Sequence, residues 1–177
     1  MEQLILVNKN DRFLGRYSPK QECHQGAGLH HRAFTLLIYN SKTEILLQDR
    51  KHQLWDQSWD LTNSHLLHLE DGTDETYEQS VSRCLKREWG VDFPVEKTFG
   101  FNYFAKLGNL CENEYCYFLM GKHNGNVYLN PEVAYGYKWM LFTKLLKEVR
   151  IHPKIYTPWL LKGLEEFQRH PSFRSFF

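Results

Sequence analysis

Glu112 and Glu114 stand two residues apart in Cys111-Glu112-Asn113-Glu114-Tyr115-Cys116, within a run rich in Tyr and Phe. In a strand, a period of two puts both carboxylates on one face. Two carboxylates side by side are costly unless a cation, a shared proton or water compensates them. Divalent-metal chemistry therefore follows if the chain supplies imidazoles to meet them. Of its nine histidines, His24, His31 and His68 are read as doing so. Three imidazoles and two carboxylates make a mixed nitrogen and oxygen site for Zn²⁺, Mn²⁺ or Mg²⁺. His30, His52, His123, His152 and His170 read as surface or structural residues. His65, three residues before His68, stays open.

The bulk composition narrows the function further. With 22 basic and 21 acidic residues in 177, charge is balanced, so a broad basic face for nucleic acid is not expected. There is no apolar run of about 18 residues for a membrane span. Met1-Glu2-Gln3 does not begin as a signal peptide does. The four cysteines, Cys23, Cys84, Cys111 and Cys116, lack C-x-x-C spacing and read as free thiols of a cytoplasmic protein. A monomer built as one domain over residues 1–177 is expected.

The elements that must position these residues follow from periodicity. Residues 4–7 and 13–17 read as a hairpin around Asn8-Lys9-Asn10-Asp11. Residues 19–29 read as a loop, of a size that is often functional. Residues 33–39 form an apolar run expected as a buried strand, and 44–49 a return strand. A polar loop at 70–74 offers N-cap residues for a helix over 75–89, which Gly90 stops. Strands are expected at 93–104 and 114–121, with shorter ones at 126–129 and 137–140. Helices are expected at 143–149 and from Thr157-Pro158-Trp159 to about 169, with a loose tail at 171–177. This order predicts an α+β fold, a mixed central sheet sandwiched between helices.

Trp55-x3-Trp59-Asp60-Leu61, followed by Glu75, Arg83, Glu88, Gly90 and Val91, resembles the signature of Nudix hydrolases. The family box, G-x5-E-x7-R-E-U-x-E-E-x-G-U, lies over residues 69–91. Glu75, Arg83, Leu85, Glu88, Gly90 and Val91 match it; Leu69, Cys84 and Arg87 do not. Glutamates four apart on one helical face would hold Mg²⁺ against a diphosphate. With Cys84 and Arg87 in two acidic positions, that cluster is depleted.

Residues 4–168 more specifically resemble type I isopentenyl-diphosphate isomerases, a branch of the Nudix fold. The match is carried by His24, His31-Arg32-Ala33-Phe34, Thr62-Asn63-Ser64, His68, Arg83, Glu88-x-Gly90-Val91, Glu112-Asn113-Glu114, Glu132-Val133 and Pro158-Trp159. The resemblance implies one divalent metal bound by His24, His31, His68, Glu112 and Glu114. It also implies a Mg²⁺ held by Glu88 and a small-molecule diphosphate substrate. Lys20 and Arg50 match phosphate-contacting cations, and Arg83 reads as an ion-pair partner of Glu75 or Glu88. The implied reaction moves a double bond by adding one proton and removing another. Glu114 and Tyr103 match one side of that exchange, and Trp159 matches an indole that shelters the developing cation. The family's cysteine, two residues before its third histidine, falls on Leu66, which cannot carry a proton. His65, next to it, is a candidate proton carrier. Rival readings are Nudix-type diphosphate hydrolysis and metal or diphosphate binding without catalysis.

Overall fold

A computed structural model describes residues 1–176. The chain opens with the antiparallel pair β1 (Gln3–Val7) and β2 (Phe13–Pro19), whose turn is tied by Asn8 Oδ1 accepting from the amides of Asn10 and Arg12. The expected loop that follows contains a single turn of helix, α1 (Lys20–Cys23), and then runs into β3 (His31–Tyr39). β4 (Glu44–Arg50) is followed by three short strands, β5 (Trp59–Asp60), β6 (Thr62–His65) and β7 (Leu67–His68). Then come α2 (Tyr77–Trp89), β8 (Glu96–Leu107), β9 (Leu110–Lys122) and β10 (Ala134–Leu141). The helices α3 (Phe142–Ile151), α4 (Pro158–Arg169) and α5 (Ser172–Phe176) complete the described chain.

β3 is the spine because its apolar run can be buried on both faces. It pairs in parallel with β9, from His31 opposite Glu114 to Tyr39 opposite Lys122. On its other side it pairs antiparallel with β6, Ala33 opposite His65 and Leu36 opposite Thr62. β4 meets β3 at Tyr39 opposite Ile45 and otherwise pairs with β10 and β5. β3 and β4 therefore diverge, and a cleft opens where they part. α2 covers one face, packing Val81, Leu85 and Trp89 on Phe34, Leu36, Ile38 and Leu66. α3 and α4 cover the other with Phe142, Leu145, Leu160, Leu164 and Phe167 over Leu37, Ile45 and Phe118. Each such fully buried side chain contributes about 1.5–3 kcal/mol. The α+β fold read from the sequence, a mixed sheet between helices, is the one observed.

Gly90 stops α2 as expected, but the N-cap is Thr76 rather than a residue of 70–74, and the helix begins at Tyr77. Thr76 and Gln79 form a reciprocal capping box, and Gly90, at φ 63°, closes the helix in the left-handed conformation. Residues 126–129 do not form a strand. Tyr128 N donates to Trp89 O at the end of α2 instead, and the next bond, from Asn130 N, goes to Glu88 O. The tail expected to be loose forms α5, while Phe177 lies outside the described residues. Among the described residues, no helix is long and apolar enough to cross a membrane.

Candidate metal centre

Glu112 and Glu114 share one face of β9, as their spacing requires, and both are 4 % exposed. His31 enters from β3, whose parallel register sets it opposite Glu114. His24 follows α1, and His65 ends β6. The ligand atoms of these five residues all lie within 4.8 Å of one another. His24 Nε2 is 2.9 Å from Glu112 Oε2 and 3.2 Å from His65 Nε2. His65 Nε2 is 3.0 Å from Glu114 Oε1, and His31 Nε2 is 3.4 Å from the same oxygen.

Outer hydrogen bonds orient two of the imidazoles. His24 Nδ1 donates to Lys20 O at 2.6 Å, and His31 Nδ1 donates to Leu29 O at 2.7 Å. A carbonyl only accepts, so each neutral ring keeps its Nε2 lone pair pointing inward. His24 Nε2 then faces Glu112 Oε2, a second lone-pair atom, at 2.9 Å. That contact requires a cation or a proton between the two. His31 Nε2 and Glu112 Oε2 are buried without a hydrogen-bond partner. Orphaned inward-facing acceptors and a three-nitrogen, two-carboxylate donor set fit a divalent cation.

The electrostatics of Glu112, Glu114 and His31 agree, whereas at His65 a cation would have to displace a proton that the two carboxylates favour. Burial acts to raise Glu112, but the neighbouring imidazoles of His24 and His65 outweigh it and hold the carboxyl well below its usual range. Glu114 is likewise lowered, with burial and the Glu112 charge opposed by His31 and His65. Burial lowers His31, keeping it neutral. For His65 burial is outweighed by the two carboxylates, which raise it. Ionised carboxylates beside a neutral buried imidazole are the protonation states that a cation selects. Burial, with the Glu114 charge next, raises Tyr103 far above its ordinary value, so its hydroxyl stays protonated and donates to Glu114 Oε2.

His68 does not join the cluster. β7 pairs with β1, Gln3 opposite His68, which turns this ring away to stack on Tyr17 at 3.7 Å between centroids. Its Nδ1 pairs with Asp74 Oδ1 at 2.8 Å. The third imidazole comes from His65 instead. Leu66 moves with the same register: it is 1 % exposed in the core beneath α2, not in the cleft. Strand alternation puts Asn63, two before His65, among the cleft-lining residues. A sequence signal for this existed. An apolar Leu66 suits the core face, which leaves its polar neighbour His65 for the other.

A cleft of about 580 Å³ opens beside the cluster, lined among others by Lys20, Arg50, Arg87, Glu88, Tyr103 and Trp159. Lys20 pairs with Glu2 at 3.0 Å at the rim. Glu88 stands outside the five-residue cluster, bonded to Arg87 Nη2 at 2.8 Å and to Gln48 Nε2 at 3.4 Å. Arg83 is turned to Glu75, with contacts of 2.7 and 2.9 Å, and its Nη2 donates to His65 O at 3.0 Å. Arg50 lies over the Trp159 ring at 5.0 Å and donates to Asp60 Oδ2 at 3.2 Å. Trp159 Nε1 donates to Asp60 Oδ1 at 2.8 Å. The sequence carries no signal for this role of Asp60, because one aspartate beside Trp59 has no metal or acid–base spacing.

No protein-family model matches the chain. It is 32 % identical over 165 residues to isopentenyl-diphosphate Delta-isomerase 2 of Aromatoleum aromaticum, covering 93 % of this chain and 85 % of that protein. It is 33 % identical over 177 residues to the Photorhabdus laumondii protein of the same name, covering 95 % and 98 %. Among solved structures it resembles a Deinococcus radiodurans protein with a TM-score of 0.73 and 15 % identity, over 93 % of this chain and 98 % of the other. It also resembles a MutT NUDIX hydrolase from Burkholderia pseudomallei, with a TM-score of 0.60 and 16 % identity, over 77 % and 96 %. The structural likeness shows a Nudix fold, and the curated relatives show which branch of it: the chain belongs to the isopentenyl-diphosphate Delta-isomerase family.

Proposed function

We propose that this chain binds one divalent cation through His24, His31, His65, Glu112 and Glu114 and acts on isopentenyl diphosphate as a metal-dependent isomerase of low turnover. The observation that carries the reading is the convergence of those five side chains, with orphaned acceptors turned inward, in a member of this family. A cation bound there supplies positive charge that keeps Glu112 and Glu114 ionised.

The chain's own residues do the rest. Glu114, fed by the Tyr103 hydroxyl, holds or moves a proton at its Oε2. Tyr103 and Trp159, with ring centroids 6.2 Å apart, wall the cleft with π-faces that shelter a developing carbocation. Lys20, Arg50 and Arg87 give the cleft the positive charge a diphosphate needs. Glu88 is the acid available to a Mg²⁺ that accompanies the diphosphate.

The opposite side of the proton exchange lacks its group. The resemblance places its cysteine on Leu66, which is packed in the core, and the residue facing the cleft two before His65 is Asn63. Its Nδ2 donates to Asp60 Oδ2 and Leu61 O, and an amide does not exchange a proton as a thiol does. Losing one of two such groups costs about 10²–10⁴-fold, which supports low turnover.

The test incubates Mg²⁺- and Mn²⁺-loaded protein with isopentenyl diphosphate and follows dimethylallyl diphosphate and phosphate. Slow isomer formation without phosphate is expected. Asn63→Cys is expected to speed it at least tenfold, while Leu66→Cys does not. Phosphate release without isomer would contradict the reading in favour of hydrolysis. Tight binding with no product from either protein would leave a binding role.

A further inference from the structure

Asp60 lies outside the metal cluster, yet five donors converge on its two oxygens. It is fully buried at the end of β5. Oδ1 accepts from Leu61 N at 2.8 Å, Thr157 Oγ1 at 2.6 Å and Trp159 Nε1 at 2.8 Å. Oδ2 accepts from Asn63 Nδ2 at 2.7 Å and Arg50 Nη1 at 3.2 Å. A carboxylate has about four lone-pair sites, so this one is saturated. Three of its partners, Arg50, Asn63 and Trp159, line the cleft. They come from three separate elements: the end of β4, β6 and the start of α4. The other contacts of Arg50 are with uncharged groups: one bond from Nε to Leu54 O at 2.9 Å and the Trp159 ring beneath it.

We propose that Asp60 is a positioning residue that locks the cation, the indole and the amide of the cleft wall into one arrangement, setting Arg50 to receive a diphosphate. The assignment rests on the functional reading above. Burying an ion to hold three cleft residues is expensive. Its neutral, isosteric replacement leaves the packing intact while removing the counter-charge of Arg50.

The experiment is a double-mutant cycle on Asp60→Asn and Arg50→Ala in the metal-loaded protein, reading isopentenyl diphosphate and pyrophosphate affinity by calorimetry. Each single variant is expected to weaken both ligands at least tenfold. The double variant should be no weaker than the worse single one, because Asp60 acts through Arg50. Metal affinity should stay within about twofold, since neither residue touches the cluster. Additive losses, or unchanged affinity in Asp60→Asn, would overturn the assignment. Should Asp60→Asn fail to fold, Thr157→Val carries the test, because it removes one donor from outside the cleft. It is expected to weaken binding about threefold and to shift the Trp159 indole N–H resonance; no change in either overturns the proposal. Wild-type protein that binds neither ligand contradicts the functional reading itself. The role of Asp60 is then judged on the Trp159 resonance, which must move in Asp60→Asn.

Discussion

At the scale of the residue, the third imidazole turns on the alternation of one short strand. His65 and Asn63 face the cleft while Leu66 is packed beneath α2. His65→Ala is therefore expected to lower metal affinity more than about tenfold, the floor set by losing even a supporting partner of a ligand. His68→Ala should leave it unchanged, as calorimetric titration with Zn²⁺ would show. Leu66→Ala is expected to cost about 2–5 kcal/mol in denaturant unfolding, as a buried truncation does, without altering the metal site. Glu112 and Glu114 were legible on one face because strand period places them there, whereas His24 and His31 were legible only through the family resemblance. His68 was not a safe choice, because two histidines three apart need the register of β6 and β7 to be told apart.

Asp60 makes a separate prediction about pH. Burial raises it from an ordinary 3.8 to about 6, against the opposing pull of Arg50, Thr157, Asn63 and Trp159. An acid raised on folding favours the folded state while protonated, and that advantage is lost as pH rises from about 4 to about 6. Relative to Asp60→Asn, the wild type should lose about 3 kcal/mol of stability across that window, two units at about 1.4 kcal/mol each. Denaturant unfolding of both proteins at pH 4 and pH 7 measures it. An unchanged difference would show that Asp60 ionises freely.

At the scale of the element, the site depends on how a loop and a short strand are pinned. Gly28 has φ +65°, and a Cβ there would meet Cys111 Sγ at 2.5 Å and Cys23 O at 2.8 Å. Those cysteines adjoin Glu112 and His24. Gly28→Ala is expected to cost at least about 1–3 kcal/mol from backbone conformation alone and to weaken metal binding with it. Thermal unfolding and Zn²⁺ titration would check both effects. β6 is pinned from α2, where Ser80 Oγ and Arg83 Nη2 both donate to His65 O, and β7 from the segment before α2, where Glu75 Oε2 accepts from Leu67 N. Arg83 was legible as an ion-pair partner of Glu75 or Glu88, and the structure pairs it with Glu75. That the pair grips the backbone of a candidate ligand was not, since the contact joins segments 18 residues apart. The strand expected at 126–129 failed for a similar reason. The Tyr128 amide, with that of Asn130 just after it, satisfies the carbonyls at the end of α2, a tertiary demand that overrides local pattern.

At the scale of the whole molecule, the centre joins the loop after α1 with β3, β6 and β9, so a bound cation cross-links the fold. A ligand at 100 times its dissociation constant adds about 2.7 kcal/mol, equivalent to about 5–10 °C in Tm for a chain of this size. Saturating Zn²⁺ or Mn²⁺ is expected to raise the unfolding temperature by that amount, and a chelator to reverse it. The layered α+β architecture was readable throughout, because the apolar run of β3 and the capped helix α2 are strong local signals. The cleft was not, because it arises from β3 and β4 parting company, a feature of pairing that no single segment encodes.

The most direct measurement is an anomalous-difference map from crystals grown with Zn²⁺ or Mn²⁺. A single strong peak is expected within about 2.0–2.2 Å of Nε2 of His24, His31 and His65 and of carboxylate oxygens of Glu112 and Glu114. A peak at His68, or full loading with no peak at His65, would contradict the account.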